Sequence, residues 1–295
     1  MISLDKKIII RVPATSTGLG TGVDSIGIAF GLYYTVIVEE EMQHWQVNHA
    51  LGKDIPHNED NLIVRTILQI DSSIKPHQLT VMSDVPIGKG LGASTTAVAA
   101  GIKIANALGD LNMSLDDQIK AGSKMEGHAD GIASALLGDI TVSYFDGDMA
   151  TTVKAPTPEA INALIYINKQ EPDLNHNVYK QNISSNQAIM ASSATNVLVA
   201  ALMSNEWTKA TEMMEKETFY VDNINEKVPE LSIIKKHAHE LGIYGTYVSK
   251  TGQAIITFGT TSELNQLRDV LSTADINGNL RLIKIDHDGA TVRGE

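Results

Sequence analysis

The chain has 295 residues, 43% of them apolar, enough for two domains or one large one at roughly 100–200 residues per domain. Its 23 Lys and Arg stand against 35 Asp and Glu, a formal charge of −12, which opposes polyanions and argues against nucleic acid as a partner. There is no cysteine, so disulfides, thiolate metal sites and cysteine nucleophiles are excluded. The opening MISLDKKIIIRVPATS sets three isoleucines between charges rather than a signal-type apolar run, and no stretch approaches the roughly 18–20 apolar residues that cross a bilayer. The expected setting is cytoplasmic, with no membrane. Arginine occurs only at Arg11, Arg65, Arg268, Arg281 and Arg293. The middle of the chain therefore lacks the side chain best shaped to hold a carboxylate or phosphate through two parallel hydrogen bonds.

In chain order, residues 8–12 (IIIRV) and 33–39 (YYTVIVE) are predicted strands flanking a Gly-rich loop at 15–25. Residues 61–70 have helical apolar spacing, with Asn58 or Asp60 as the expected cap. Residues 78–85 read as a strand, and a Gly-rich turn then opens a long small-residue helix to 108. A second helix spans 114–128, where Ser114 and Asp117 form a weak relative of the capping box. A strand at 139–145 and a Pro-containing connector near 154–160 follow. The second half reads as a strand at 160–169, a polar loop at 173–187, and helices at 188–203 and 208–220. The first of these helices is apolar nearly all round and is expected to be buried. A helix at 231–241 ends at Gly242, followed by a strand, turn and strand at 244–259, a helix at 262–275 and a last strand at 280–286. This mixed order is α+β, without internal repeats.

The sharpest chemical signal is PIGKGLGASTTA at 86–97. Three glycines in five residues let backbone approach an anion, and the helix that follows aims unpaired N–H groups and its positive dipole end at the same place. Ser94, Thr95 and Thr96 add hydroxyls suited to phosphate or Mg²⁺, and Lys89 adds a mobile charge. The spacing is not that of a Walker A loop. Elsewhere, His237 and His239 do not share a helix face and read as solvated surface. His128 reads as structural, Glu39–Met42 as a solvated strand end, and Met190, Met203, Met213 and Met214 as core filling.

The 86–97 string resembles the P-x-x-x-G-L-G-S-S motif of the GHMP kinases. RVPATSTGLGTGVDSIGIAFGLY at 11–33, EGHADGIASALLGD at 126–139 and GIYGTYVSKTGQAIITFG at 242–259 are similar, in order and spacing, to three segments of the homoserine kinases within that superfamily. The resemblance implies a two-domain α+β fold: a ribosomal-protein S5 domain 2-like unit at 1–155 that binds ATP, and a ferredoxin-like unit at 156–295. It implies an ATP site over Pro86, Ile87, Gly88, Lys89, Gly90, Leu91, Gly92, Ala93, Ser94, Thr95 and Thr96, with Asn61 near the adenine. Ser94 and Glu126 would hold Mg²⁺, and Asp24 and Glu126 would be the catalytic carboxylates. The small-molecule alcohol substrate would lie against Gly18, Asp24, Asp130, Gly131 and His176, and the assembly such a resemblance allows is a homodimer.

Several positions depart from the family pattern. Gly18 and Gly131 stand where the family has asparagines that hydrogen-bond the amino-alcohol. Ala93 replaces the first serine of the S-S pair, and SKTGQ at 249–253 replaces S-G-A-G-P. The two arginines that hold the substrate carboxylate fall at His176 and Ile224, and no register shift restores them because residues 66–267 contain no arginine. Lys180, Lys227 or a protonated His176 offers only a point charge. Three functions fit: a homoserine kinase feeding threonine biosynthesis, a GHMP kinase for another small alcohol, and a catalytically degraded paralogue that binds nucleotide.

Overall fold

A computed structural model describes residues 7–170, 172, 178–180, 182–216 and 218–294. The first half contains β1 (Ile8–Gly18), β2 (Gly22–Glu41), β3 (Gln46–Asn48), α1 (Leu62–Ile70), β4 (His77–Ser83), α2 (Ala93–Leu108), α3 (Leu115–Glu126), α4 (Asp130–Leu137), β5 (Ile140–Phe145) and β6 (Ala150–Ala155). The second contains β7 (Ile161–Asn168), α5 (Ser185–Met203), α6 (Trp207–Met214), α7 (Ile224–Lys227), α8 (Pro229–Glu240), β8 (Thr246–Val248), β9 (Ala254–Thr260), α9 (Thr261–Leu271), β10 (Gly278–Lys284) and β11 (Thr291–Gly294). Two sheets result. The larger runs β11-β1-β2-β4-β3, with β5 on β2 and β6 on β5; the smaller runs β10-β7-β9-β8. β11 thus returns to the first sheet after β10 has closed the second.

The glycine-rich segment expected as a loop is mostly strand. β1 and β2 pair antiparallel through Thr15↔Ala29, Ser16↔Ile28 and Thr17↔Gly27, leaving only residues 19–21 for the turn. The small residues serve packing. A Cβ at Gly27 would lie 2.2 Å from the Asp130 carbonyl oxygen, so α4 rests directly on β2 and nothing larger than hydrogen fits between them. Small residues do the same between α1 and α2, where a Cβ on Gly101 would meet Thr66 Cβ at 2.6 Å.

β7 is buried along its whole length because it is covered on both faces. Alternate residues feed two cores: Ala163, Ile165 and Ile167 join the large core shared with the first sheet, while Leu164 and Tyr166 join a second core under α8 and α9. Phe30 of β2 and Phe258 of β9 stack at 6.5 Å across the sheets, fixing one against the other.

The helix expected to be buried, α5, lies at the surface. It buries Ala191, Leu198, Ala201 and Leu202, whereas Ile189 and Met190 are about two-thirds exposed at 67% and 65%. Its small Ala and Ser residues let one narrow stripe dock, so the apolar composition reflects a bare outer face rather than a second neighbour. Met203 is likewise exposed, while Met214 is buried as core and Met213 packs on it. The capping box of α3 is present, with the Ser114 hydroxyl accepting from the Asp117 N–H.

Candidate functional site

The Gly-rich turn after β4 is held between two other segments. Gly92, at φ +75°, is the N-cap of α2, and a Cβ there would lie 2.1 Å from Thr15 Oγ1. Gly90, at φ +69°, would place a Cβ 2.5 Å from Ser249 Oγ and 2.7 Å from Thr251 Oγ1. Both positions therefore demand glycine for conformation and for space. Thr15 N–H donates to the Leu91 carbonyl at 3.1 Å, and the Lys89 ammonium donates to Gln253 Oε1. Among the described residues no side chain caps α2, so its first-turn N–H groups remain available at the mouth of a cavity of about 630 Å³. Gly90, Gly92, Ser94, Thr95, Glu126, His128, Lys250 and Thr251 form one wall of that cavity, and Leu62, Arg65, Thr66 and Gln69 of α1 another.

Glu126, the last residue of α3, is half-buried on this wall. It accepts the Thr95 hydroxyl at 2.8 and 3.1 Å through its two oxygens. Burial pushes its carboxyl above the usual range, opposed by the Thr95 hydrogen bond and the nearby His128 and Lys250. His128 Nδ1 lies 2.7 Å from Asp130 Oδ1, which also accepts the Gly131 N–H at 2.8 Å. That hydrogen bond to Asp130 is the main reason the imidazole is raised above 6.5. Asp130 is 1% exposed, and among the described residues its Oδ2 has no partner. Asp24, in left-handed backbone at φ +55°, completes a cluster in which Asp24, His128 and Asp130 each offer an atom within 4.8 Å of the others. Lys250 Nζ stands 3.6 Å from Asp24 Oδ1.

The structure therefore brings Gly90, Gly92, Ser94, Thr95 and Glu126 onto one cavity, with Asp24 and Asp130 beside it. Other residues of the expected phosphate loop lie off its wall. Leu91 is fully buried in the core, the Thr96 hydroxyl donates to the Ala93 carbonyl, Ala93 packs on the core, and Pro86, Ile87, Gly88 and Lys89 do not line the cavity. Asn61, rather than Asn58 or Asp60, is the N-cap of α1, next to Leu62 of the α1 wall. Its oxygen accepts the Ile63 N–H at 3.0 Å, its amide donates to Pro56 O at 2.7 Å, and it is 2% exposed. His128 faces the cavity rather than serving the interior alone. Ile224 is buried in the second core, and His176 lies outside the described residues.

Three contributors were not singled out by pattern. Arg65 of α1 lines the cavity one turn before Gln69 on the same helix face, and Lys124 of α3 lines it beside Met125 and Glu126. Tyr179 carries no local signal at all. A Cβ on Gly18 would lie 2.3 Å from the Tyr179 hydroxyl, so this phenol fills the space a side chain at 18 would need. A bridge between Tyr179 and Tyr220 holds it there. Gly131 differs: a Cβ there would meet Thr95 and Thr17 at 3.3–3.5 Å, close to ordinary contact.

Two measurements check this geometry. Gly18→Ala lowers the melting temperature, and in a Tyr179→Ala background the loss shrinks, giving a coupling of about 1 kcal/mol or more; additive effects would show that the two do not meet. An NMR titration places the His128 pKa above 6.5, and Asp130→Asn returns it toward that value. Because the folded-state value is the raised one, the stabilisation from this pair is complete below 6.5 and is lost as pH rises through the folded value.

The family model for the GHMP kinases N terminal domain matches residues 61–147. A homoserine kinase of Bacillus cereus (strain G9842) is 36% identical over 287 residues, 97% of each chain. A solved structure from Listeria monocytogenes, described as a homoserine kinase, superposes with a TM-score of 0.87 at 34% identity, over 98% of this chain and 99% of the other. The homoserine kinase of Cytophaga hutchinsonii, at 21% identity and a TM-score of 0.85 over 99% of each chain, shares the fold. With this identity sustained along almost its whole length, and with the glycine cradle and Glu126 on one cavity, the chain belongs to the homoserine kinase family of the GHMP kinases.

Proposed function

We propose that the chain phosphorylates the hydroxyl of L-homoserine with ATP, releasing ADP and O-phospho-L-homoserine for threonine biosynthesis in the cytoplasm. The observation that carries this reading is the shared cavity. An uncapped helix terminus with a glycine cradle, a carboxylate and an Asp24–His128–Asp130 cluster converge there. In this reading the unit 1–155 supplies most of the cavity lining and the unit 156–295 adds Lys250 and Thr251 to it, with β11 lent back to the first sheet.

The residues fit a magnesium ion. Ser94 and Glu126 are hard oxygen donors on the same wall, and a half-buried carboxylate whose charged form is disfavoured gains most from a cation. When bound, the ion neutralises phosphate charge. The chain does the rest. Gly90, Gly92 and the first turn of α2 cradle the phosphates, and Thr95 holds Glu126 in place. Asp24 orients the acceptor and receives its proton, while Asp130, with its unpartnered oxygen, faces the substrate's ammonium group. Phosphoryl transfer asks mainly for such positioning and charge.

Recognition of the substrate carboxylate falls to lysine. Lys180, whose neighbour Tyr179 touches Gly18, is the residue this reading points to; its ammonium pairs with Asp222 at 2.5 Å. A charge-assisted hydrogen bond contributes roughly 1.5–3 kcal/mol. Without guanidinium forks, homoserine therefore binds at least about tenfold more weakly than in an arginine-clamped homologue.

An assay of ADP release over homoserine, threonine, other amino-alcohols and mevalonate tests the reading. Homoserine turns over fastest, and Asp24→Asn and Glu126→Gln each lower kcat by about 100-fold or more. Faster turnover of an alcohol lacking the carboxylate would move the assignment to a GHMP kinase of different specificity, as the buried Ile224 would allow. ATP binding with no turnover of any alcohol would leave a nucleotide-binding paralogue.

A further inference from the structure

The β8–β9 turn brings a cation to the boundary between the two halves of the cavity. Lys250 lines the wall with Gly90, Gly92, Ser94 and Glu126, yet its ammonium lies 3.6 Å from Asp24 on the acceptor side. The backbone behind it is fixed. Its carbonyl accepts the Val178 N–H at 2.9 Å, the Gly252 N–H donates to the Ser249 carbonyl at 2.8 Å, and Ser249 Oγ accepts the Ala254 N–H at 3.1 Å. The flanking hydroxyls of Ser249 and Thr251 press on Gly90, so the turn cannot withdraw without opening the cradle.

Two other cations on the wall serve differently. Lys124 is bonded outward to Asp148 at 2.7 Å, and Arg65 stands on α1 at the far wall. Around Lys250 stand the carboxylates Asp24 and Glu126 and the imidazole of His128, itself bonded to Asp130, so carboxylates face the place where a further anion must arrive. The ion pair with Asp24 is too exposed, at 38% and 61% of the two side chains, for stability to be its main consequence.

We propose that Lys250 is a catalytic residue of this chain, its ammonium spanning Asp24 and the phosphoryl group as it passes from ATP to the acceptor hydroxyl. The inference rests on the kinase reading above. In the step, the hydroxyl oxygen forms its bond to the γ-phosphorus while the bond from that phosphorus to the β–γ bridging oxygen breaks. ADP departs, the hydroxyl proton goes to Asp24, and Lys250 stays protonated, stabilising charge on the equatorial oxygens. A chain without arginine between residues 66 and 267 takes this charge from lysine.

The test compares the unmodified protein with Lys250→Met and Lys250→Arg. Melting temperature is followed with Mg-ADP alone and with Mg-ADP, homoserine and aluminium fluoride, a mimic of the planar phosphoryl group. All three proteins show the same Mg-ADP shift. The additional shift from aluminium fluoride disappears in Lys250→Met and survives in Lys250→Arg, and kcat of Lys250→Met falls about 100-fold with the ATP KM within about threefold. A Lys250→Met protein that keeps both the fluoride-dependent shift and its kcat overturns the assignment while leaving the kinase reading intact. Absence of any Mg-ADP shift in the unmodified protein overturns the kinase reading, and this role with it.

Discussion

Gly90 and Gly92 stand so close to Ser249, Thr251 and Thr15 that a methyl group at either position would overlap an oxygen, at 2.5 Å and 2.1 Å respectively. Strand β1, the turn before α2 and the turn between β8 and β9 are thereby drawn into a three-layer contact. That contact joins the first sheet to the second at the same level as the start of α2. The stacked Phe30 and Phe258 hold the sheets in register beneath it. The cradle is consequently an outcome of tertiary packing: the glycine turn supplies permission, and the segments on either side supply position.

The same closeness sets the electrostatics. Glu126 sits where burial disfavours its charge, and among the described residues one oxygen of Asp130 is left without a partner. Both are costs that a ligand or ion bound there would relieve. Lysines answer them in place of arginines. Lys250 reaches from the second sheet's turn toward Asp24, and Lys89 ties the cradle to Gln253 on the same turn. The net charge of −12 thus conceals a local arrangement in which scarce cations are placed beside the site.

Local chemistry was legible in the sequence, and distant chemistry was not. Three glycines followed by Ser94 and Thr95 announce an anion cradle because loop conformation and helix terminus are both local properties. Asp24, Glu126 and Asp130 could be found through whole motifs that resemble the family. Misreadings came where tertiary contact decided. The glycines at 18–22 look like loop chemistry, yet Gly18 and Gly22 pair as strand and a Cβ on Gly20 would lie 1.7 Å from the Met214 carbonyl oxygen. The apolar α5 looks buried but has one neighbour-facing stripe. The cap of α1 is Asn61 rather than the Asn58 or Asp60 just before it, a one-to-three-residue difference that local pattern does not resolve. Tyr179 compensates Gly18 from 161 positions away, as counted on the sequence, and only the fold could pair them. Lys250 was visible as a departure from the family string, but its pairing with Asp24 was not.

Close packing at the two glycines, rather than backbone freedom alone, is the claim on which the site depends, and Gly88 provides the comparison. It too has positive φ, +72°, but a Cβ there would meet nothing within 4 Å. Calorimetric titration of Mg-ADP into Gly88→Ala, Gly90→Ala and Gly92→Ala variants separates the two effects, since backbone strain is common to all three. Affinity falls more than about tenfold for Gly90→Ala and Gly92→Ala and stays within about threefold for Gly88→Ala. Equal losses at all three positions, or no loss at Gly90 and Gly92, would contradict the account.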